Sequence, residues 1–214
     1  MDCRRYGGIM IELVRRRMTM RAKLYDAEVE WIQGVPGYMI NCDVEVNNNG
    51  YSIVSRVLVP SSSSFVDIFD KTTLEGGTQN LWYLTLGHDN RMMFNVNTTY
   101  EGFIVNGSIR NTLVDVNVFS NTVLLRWKNT SASKTVSTPA TGKGTIRLFN
   151  VRRDRADGVR MYYFRLQAPD GSIIRDMIPV RKGNIGYMYD KVSGRIFGNA
   201  NTTGYAIIGP DKTA

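Results

Sequence analysis

Residues Ile173–Asn199 read IIRDMIPVRKGNIGYMYDKVSGRIFGN. β-Branched and aromatic residues fill this stretch in short runs, and glycines at turn-like spacing and a proline punctuate them. Runs of this kind, bounded by turn formers, mark antiparallel hairpins. Ser172–Ile178, Gly186–Asp190 and Arg195–Phe197 are the expected strands. The Val192-Ser193-Gly194 turn calls for positive φ at Gly194, which only glycine adopts without strain. Tyr187 and Tyr189, two apart, are expected to pack beneath the hairpin.

The same period-two pattern extends outward in both directions. Tyr38, Ile40, Cys42, Val44 and Val46 alternate with Met39, Asn41, Asp43 and Glu45. That alternation belongs to a half-buried antiparallel strand. Val114, Val116 and Val118 share one face of another run, as do Val123, Leu125 and Trp127. Further strands are expected at Ala27–Ile32, Tyr51–Val59, Phe65–Phe69, Thr145–Val151, Arg160–Gln167 and Tyr205–Ile208. Leu81–Leu86 and Arg91–Asn97 read as one hairpin. Gly102–Val105 and Ser108–Asn111 read as another around Asn106-Gly107, a strong short turn signal. Residues 129–143 contain no large apolar residue except Val136, and read as an exposed loop, or a hairpin with a mobile tip. Short strands at this spacing predict an all-β, antiparallel two-sheet jelly-roll sandwich.

Composition sets the limits. A chain of 214 residues accommodates one large β domain. The net charge of +8 is concentrated at the start. Residues 1–23 hold Arg4, Arg5, Arg15, Arg16, Arg17, Arg21 and Lys23 against Asp2 and Glu12, a net +5. The expected organisation is therefore a basic arm, residues 1–24, followed by a sandwich, residues 25–214. Such an arm suits anchoring or oligomerisation on an acidic partner. Gly8–Val14 is interrupted by Glu12 and followed by arginines, so no export signal is expected. No apolar run reaches 18 residues, which argues against a membrane-spanning helix. Cys3 and Cys42, with no CxxC pair, fit a chain folded in a reducing cytoplasm.

Ile173–Asn199 also carries a resemblance. Arg175, Asp176, Ile178, Pro179, Tyr187, Tyr189, Asp190, Val192, Ser193, Gly194, Phe197, Gly198 and Asn199 stand where laminin-G-like (concanavalin A-like) jelly-roll domains of gut-bacterial tailed phages or prophages carry their C-terminal motif. Glu28–Ile32 and Gly37–Asn41 resemble the opening strands of the same domains. The likeness spans both ends, roughly Tyr25 to Pro210, and is only a general pattern between residues 50 and 160. Ile11–Met20 is similar to the Arg- and Met-rich starts of other phage structural proteins. The resemblance implies a homo-oligomeric virion component, a trimer by expectation, made in the bacterial host cytoplasm. Capsid decoration, head fibre and tail-associated roles all fit, with other virion proteins as partners.

The residues offer little for catalysis. His88 is the only histidine and sits in a turn, and no GxSxG elbow occurs. Glycosidases of the concanavalin A-like fold need closely spaced carboxylates, and neither Glu-x-Asp-x-Glu nor Glu-x-Asp-x-x-Glu occurs. Glu28/Glu30 and Asp43/Glu45 read as polar outer faces. Asp89-Asn90 and Asp154–Asp157 are thin calcium candidates. Gly142-Lys143-Gly144 lacks phosphate-loop spacing. No enzyme activity, cofactor, required metal or nucleic-acid partner is expected. The alternative to a virion role is a lectin-like module for host or mucosal glycans, with Trp31 and Trp82 as candidate sugar contacts and Trp127 turned inward.

Overall fold

The computed structural model describes residues 24–213 except 48–49, 62–65, 73–79, 87–90, 97–98, 106–108, 138–142, 150–157 and 202–203. In chain order the strands are β1 (Ala27–Glu28), β2 (Ile32–Gln33), β3 (Ile40–Val46), β4 (Ser52–Val59), β5 (Val66–Thr72), β6 (Asn80–Leu86), β7 (Arg91–Val96), β8 (Thr99–Ile104) and β9 (Thr112–Phe119). They continue with β10 (Thr122–Trp127), β11 (Thr130–Thr135), β12 (Gly144–Leu148), β13 (Arg160–Gln167), β14 (Ile173–Lys182), β15 (Ile185–Asp190), β16 (Arg195–Phe197) and β17 (Ile207–Ile208). No helix occurs among the described residues.

Two antiparallel sheets form the sandwich. The larger runs β11-β10-β9-β4-β13-β14-β15-β16, with β1, β2 and β17 attached. The smaller runs β3-β12-β5-β6-β7-β8. In the large sheet β4 lies between two runs of sequence neighbours, β9–β11 and β13–β16, pairing with β9 on one side and β13 on the other. The predicted alternation decides which side chains meet between the sheets. Val114, Val116, Val118, Val123, Leu125 and Trp127 are all buried, as expected. Ile40 and Cys42 face them from the small sheet's side of the core with Leu84, Phe94, Ile146 and Leu148. Burial of such side chains, at about 25 cal/mol per Å² of apolar surface, is the main stabilising term.

Two local expectations give way. Asn106-Gly107 lies outside the described residues, and the strands on either side of it do not pair with each other: β8 pairs with β7 in the small sheet, whereas β9 pairs with β4 and β10 in the large one. The valines of β9 are buried in the core on the inner face of the large sheet, where β9 hydrogen-bonds to β4. The first part of residues 129–143 is a strand, β11, paired along its whole length with β10 across a two-residue turn in which Lys128 adopts φ 49°. Its polar, largely exposed sequence is suited to a sheet edge, where charge and poor apolar content discourage further pairing.

The Asp190 region explains why the C-terminal motif looks as it does. The fully buried Asp190 carboxylate accepts hydrogen bonds from Asp176 N at 2.8 Å, Val192 N at 3.2 Å, Ser193 N at 3.1 Å and Ser193 Oγ at 2.6 Å. Arg175 Nη1 lies 3.6 Å from Asp190 Oδ2. The same guanidinium donates to Cys42 O at 3.0 Å and Asp43 O at 3.2 Å, tying β14 to β3 of the other sheet. Arg195 reaches Asp43 from β16 at 3.1 Å. Phe197 lies beneath both guanidiniums, 5.5 and 5.0 Å from their carbons. Gly194 has φ 68°, as the turn chemistry requires. Asp43, a non-glycine at φ 50°, sits where the register of β3 and β12 shifts.

The two ends of the domain are fastened side by side. Asp26 N donates to Arg181 O and Lys212 N to Glu28 O. Arg181 forms a two-pronged pair with Asp211 at 2.6 and 2.7 Å, and Asp26 Oδ2 accepts from Gly183 N at 2.6 Å.

Candidate functional site

A cleft opens beside β15. Along this strand Gly186, Met188 and Asp190 are buried, whereas Ile185, Tyr187 and Tyr189 are half-exposed. The tyrosines therefore do not pack into the core beneath the hairpin, in contrast to the sequence expectation. The hairpin places Gly186 and Met188 inward, and period two then turns both tyrosines outward. Tyr189 meets Tyr25 at 5.0 Å between ring centroids. Tyr187 instead lines the cleft, whose volume is about 270 Å³.

Glycines let the walls close. A Cβ on Gly198 would fall 2.9 Å from Cδ1 and Cε1 of Tyr187, so the ring packs directly on the backbone. Gly186 faces Ile208, Ile32 and Ala206 just as tightly. Across the cleft, Gly204 at φ 91° is followed by Tyr205, 68% exposed. Tyr38 lies at the bottom, buried, with its hydroxyl donating to Gly186 O at 3.2 Å. Burial, aided by the nearby Tyr187 hydroxyl, pushes the Tyr38 phenol far above its ordinary range, so it stays neutral.

Asn199 shapes the loop. Its Oδ1 accepts from Met39 N and Asn201 N, both at 3.0 Å, and its Nδ2 donates to Gly204 O at 2.8 Å. The bond from Asn201 N is the local side-chain turn that asparagine favours. Asn201 donates one amide N–H to Gly37 O at 3.0 Å and is otherwise exposed. The result is a tyrosine-walled recess with amide groups at its rim and, among the described residues, no charged side chain in its lining. Its chemistry is that of non-covalent recognition, with apolar ring faces and a few oriented polar groups.

The residues singled out from the sequence lie elsewhere. Arg4, Arg5, Arg15, Arg16, Arg17, Arg21 and Lys23 fall outside the described residues, as do His88, Asp89-Asn90 and Asp154–Asp157. Trp31 is half-buried: the Arg160 guanidinium lies over its ring at 4.1 Å, and a Cβ on Gly209 would come within 2.7 Å of Cε2. The structure therefore brings protein groups against the indole. Trp82 occupies β6 opposite Val96 and Lys71, and its side chain is outside the described ones. Within the two carboxylate pairs, Asp43 meets Arg195, Glu45 meets Lys143 and Glu28 meets Lys212. Tyr187 and Tyr205 were legible only indirectly, through the glycines that accompany them, Gly186 and Gly198 for one and Gly204 for the other.

The chain matches no protein-family model and no curated protein. Loose likenesses exist among solved structures. The full extracellular region of zebrafish Gpr126/Adgrg6 aligns at 13% identity and a TM-score of 0.49, over 66% of this chain and 22% of that one. The heptameric SAP-like pentraxin from Limulus polyphemus aligns at 9% identity and 0.46, over 67% and 76%. The Caenorhabditis elegans galectin LEC-6 aligns at 12% and 0.39, over 63% and 99%. This chain thus spans about a fifth of the zebrafish protein. Likenesses this loose carry no functional weight, and the all-β two-sheet fold stands on its own strand pairing.

Proposed function

We propose that this protein is a non-enzymatic, glycan-contacting β-sandwich carried on the virion of a tailed phage. The observation that carries the reading is the cleft walled by Tyr187 and Tyr205 and organised by Asn199. Aromatic faces beside amides suit a sugar, which has an apolar C–H face and a rim of hydroxyls. Among the described residues no carboxylate lines the cleft, and glycoside hydrolysis needs two, which favours binding over cleavage. The virion placement rests on the sequence: the resemblance carried by Ile173–Asn199 and the net +5 over residues 1–23. The arm is taken as the anchor or oligomerisation segment and the sandwich as the displayed part.

Light scattering on the full chain and on residues 24–214 tests the assembly half of this reading. The full chain is expected to be a closed cyclic oligomer, a trimer in the simplest case. The truncated chain is expected to be a folded monomer. A truncated chain that still assembles fully overturns the role given to the arm.

A further inference from the structure

Resting on the glycan reading, we infer that the cleft receives a single terminal residue of a neutral glycan, a pyranose without carboxylate or sulfate, and holds it without a metal ion. Size argues for one ring. About 270 Å³ lies just below the roughly 300–1,000 Å³ of ordinary ligand pockets. An extended chain of sugars therefore has room for only its end inside.

Charge argues for neutrality. The lining consists of tyrosine and isoleucine side chains, glycine backbone and two asparagine amides. A uronate or sialate seated here would lose hydration without meeting a cation, and an unpaired charge in a recess is strongly disfavoured. A calcium-bridged sugar is disfavoured for a matching reason: calcium takes oxygen ligands rich in carboxylate, and the described residues of the lining include none.

The two walls have different duties. Tyr187 is fixed by the Gly198 backbone, so its ring is a preformed surface. Tyr205 stands at the rim with most of its surface in solvent, the place where covering by a sugar removes most apolar area from water. Asn199 is committed to the loop through three hydrogen bonds. Asn201 retains its Oδ1 and its second N–H after bonding Gly37 O, and is the residue placed to read a hydroxyl. One orienting amide and two rings give weak, Kd about millimolar, affinity per sugar, so useful attachment comes from several copies on one particle.

Saturation-transfer NMR on the full chain provides the test, with methyl glycosides of neutral hexoses, of a uronic acid and of sialic acid as probes. Neutral hexosides are expected to receive saturation, and to do so equally in EDTA. Tyr205→Ala, at a 68% exposed position where substitutions typically change stability little, is expected to weaken binding at least about tenfold, while Tyr205→Trp preserves it. Gly198→Ala, which displaces the Tyr187 ring, is expected to weaken it as well. Preference for the acidic sugars, or loss in EDTA, overturns the neutral, metal-free assignment and leaves the glycan reading standing. Neutral binding that ignores both Tyr205→Ala and Gly198→Ala places the sugar elsewhere and overturns the site. Absence of binding to every probe, also when the sugars are displayed multivalently, overturns both readings.

Discussion

Replacing Asp190 by alanine removes the acceptor for four hydrogen bonds and the partner of Arg175. These losses differ in weight. Val192 and Ser193 are exposed at the hairpin tip, so their N–H groups can turn to water. Asp176 N–H and the Arg175 guanidinium, whose side chain is only 12% exposed, cannot do so easily. Removing one partner of a buried, hydrogen-bonded charge costs about 3–5 kcal/mol. For a domain of this size each kcal/mol shifts Tm by about 2–4 °C, so a fall of roughly 10 °C is expected. Asp190→Asn is expected to lose less, because Oδ1 can still accept from Asp176 N while the new NH2 opposes Ser193 N–H. Thermal unfolding of the full chain followed by near-ultraviolet circular dichroism measures both. A fall of less than about 2 °C for Asp190→Ala, below the shift expected for 1 kcal/mol, would show that the carboxylate does not hold β14, β15 and the turn together.

Gly194→Val is expected to lower stability by about 1–2 kcal/mol, the cost of a left-handed conformation for an ordinary residue. A Cβ there would meet nothing within 4 Å at φ 68°, so the cost is conformational and not steric crowding. Unchanged Tm refutes the turn assignment. Burial lowers the fully buried Lys71 ammonium from its ordinary 10.5 to about 8. Between those values the unfolded chain holds a proton that the folded chain has released, so this residue makes stability rise with pH across that window. Urea midpoints of the wild type and Lys71→Met at pH 7.5 and 9.5 test the sign. The difference is expected to move in favour of the wild type at the higher pH, and movement the other way refutes the assigned protonation.

Much of this architecture was readable from periodicity. Val114, Val116, Val118, Val123, Leu125 and Trp127 announce their inward face because burial on a strand acts on every second residue. Arg195–Phe197 and Arg160–Gln167 coincide with β16 and β13 for the same reason. Local turn chemistry proved a weaker guide where the chain changes sheets. Asn106-Gly107 favours a hairpin, but no sequence-local rule reports that β9 will find β4 more than fifty residues earlier. The cleft was harder still. Tyr187 carries the same alternating pattern as a core aromatic, and only the inward placement of Gly186 and Met188 reveals which face it takes. Tyr205 contacts the site through a loop set by Asn199, whose partners Met39 and Gly204 lie 160 and five residues away. No spacing rule links them.

The fastening of Asp26, Glu28, Arg181, Asp211 and Lys212 at one corner has a modular consequence. Both ends of the sandwich leave from neighbouring points, so a host polypeptide could accept the domain within a surface loop with little disturbance to its own fold. By the same geometry, a short linker from residue 213 to residue 24 would permit new termini at an exposed turn such as Lys128-Asn129, and a permuted chain would be expected to keep both sheets.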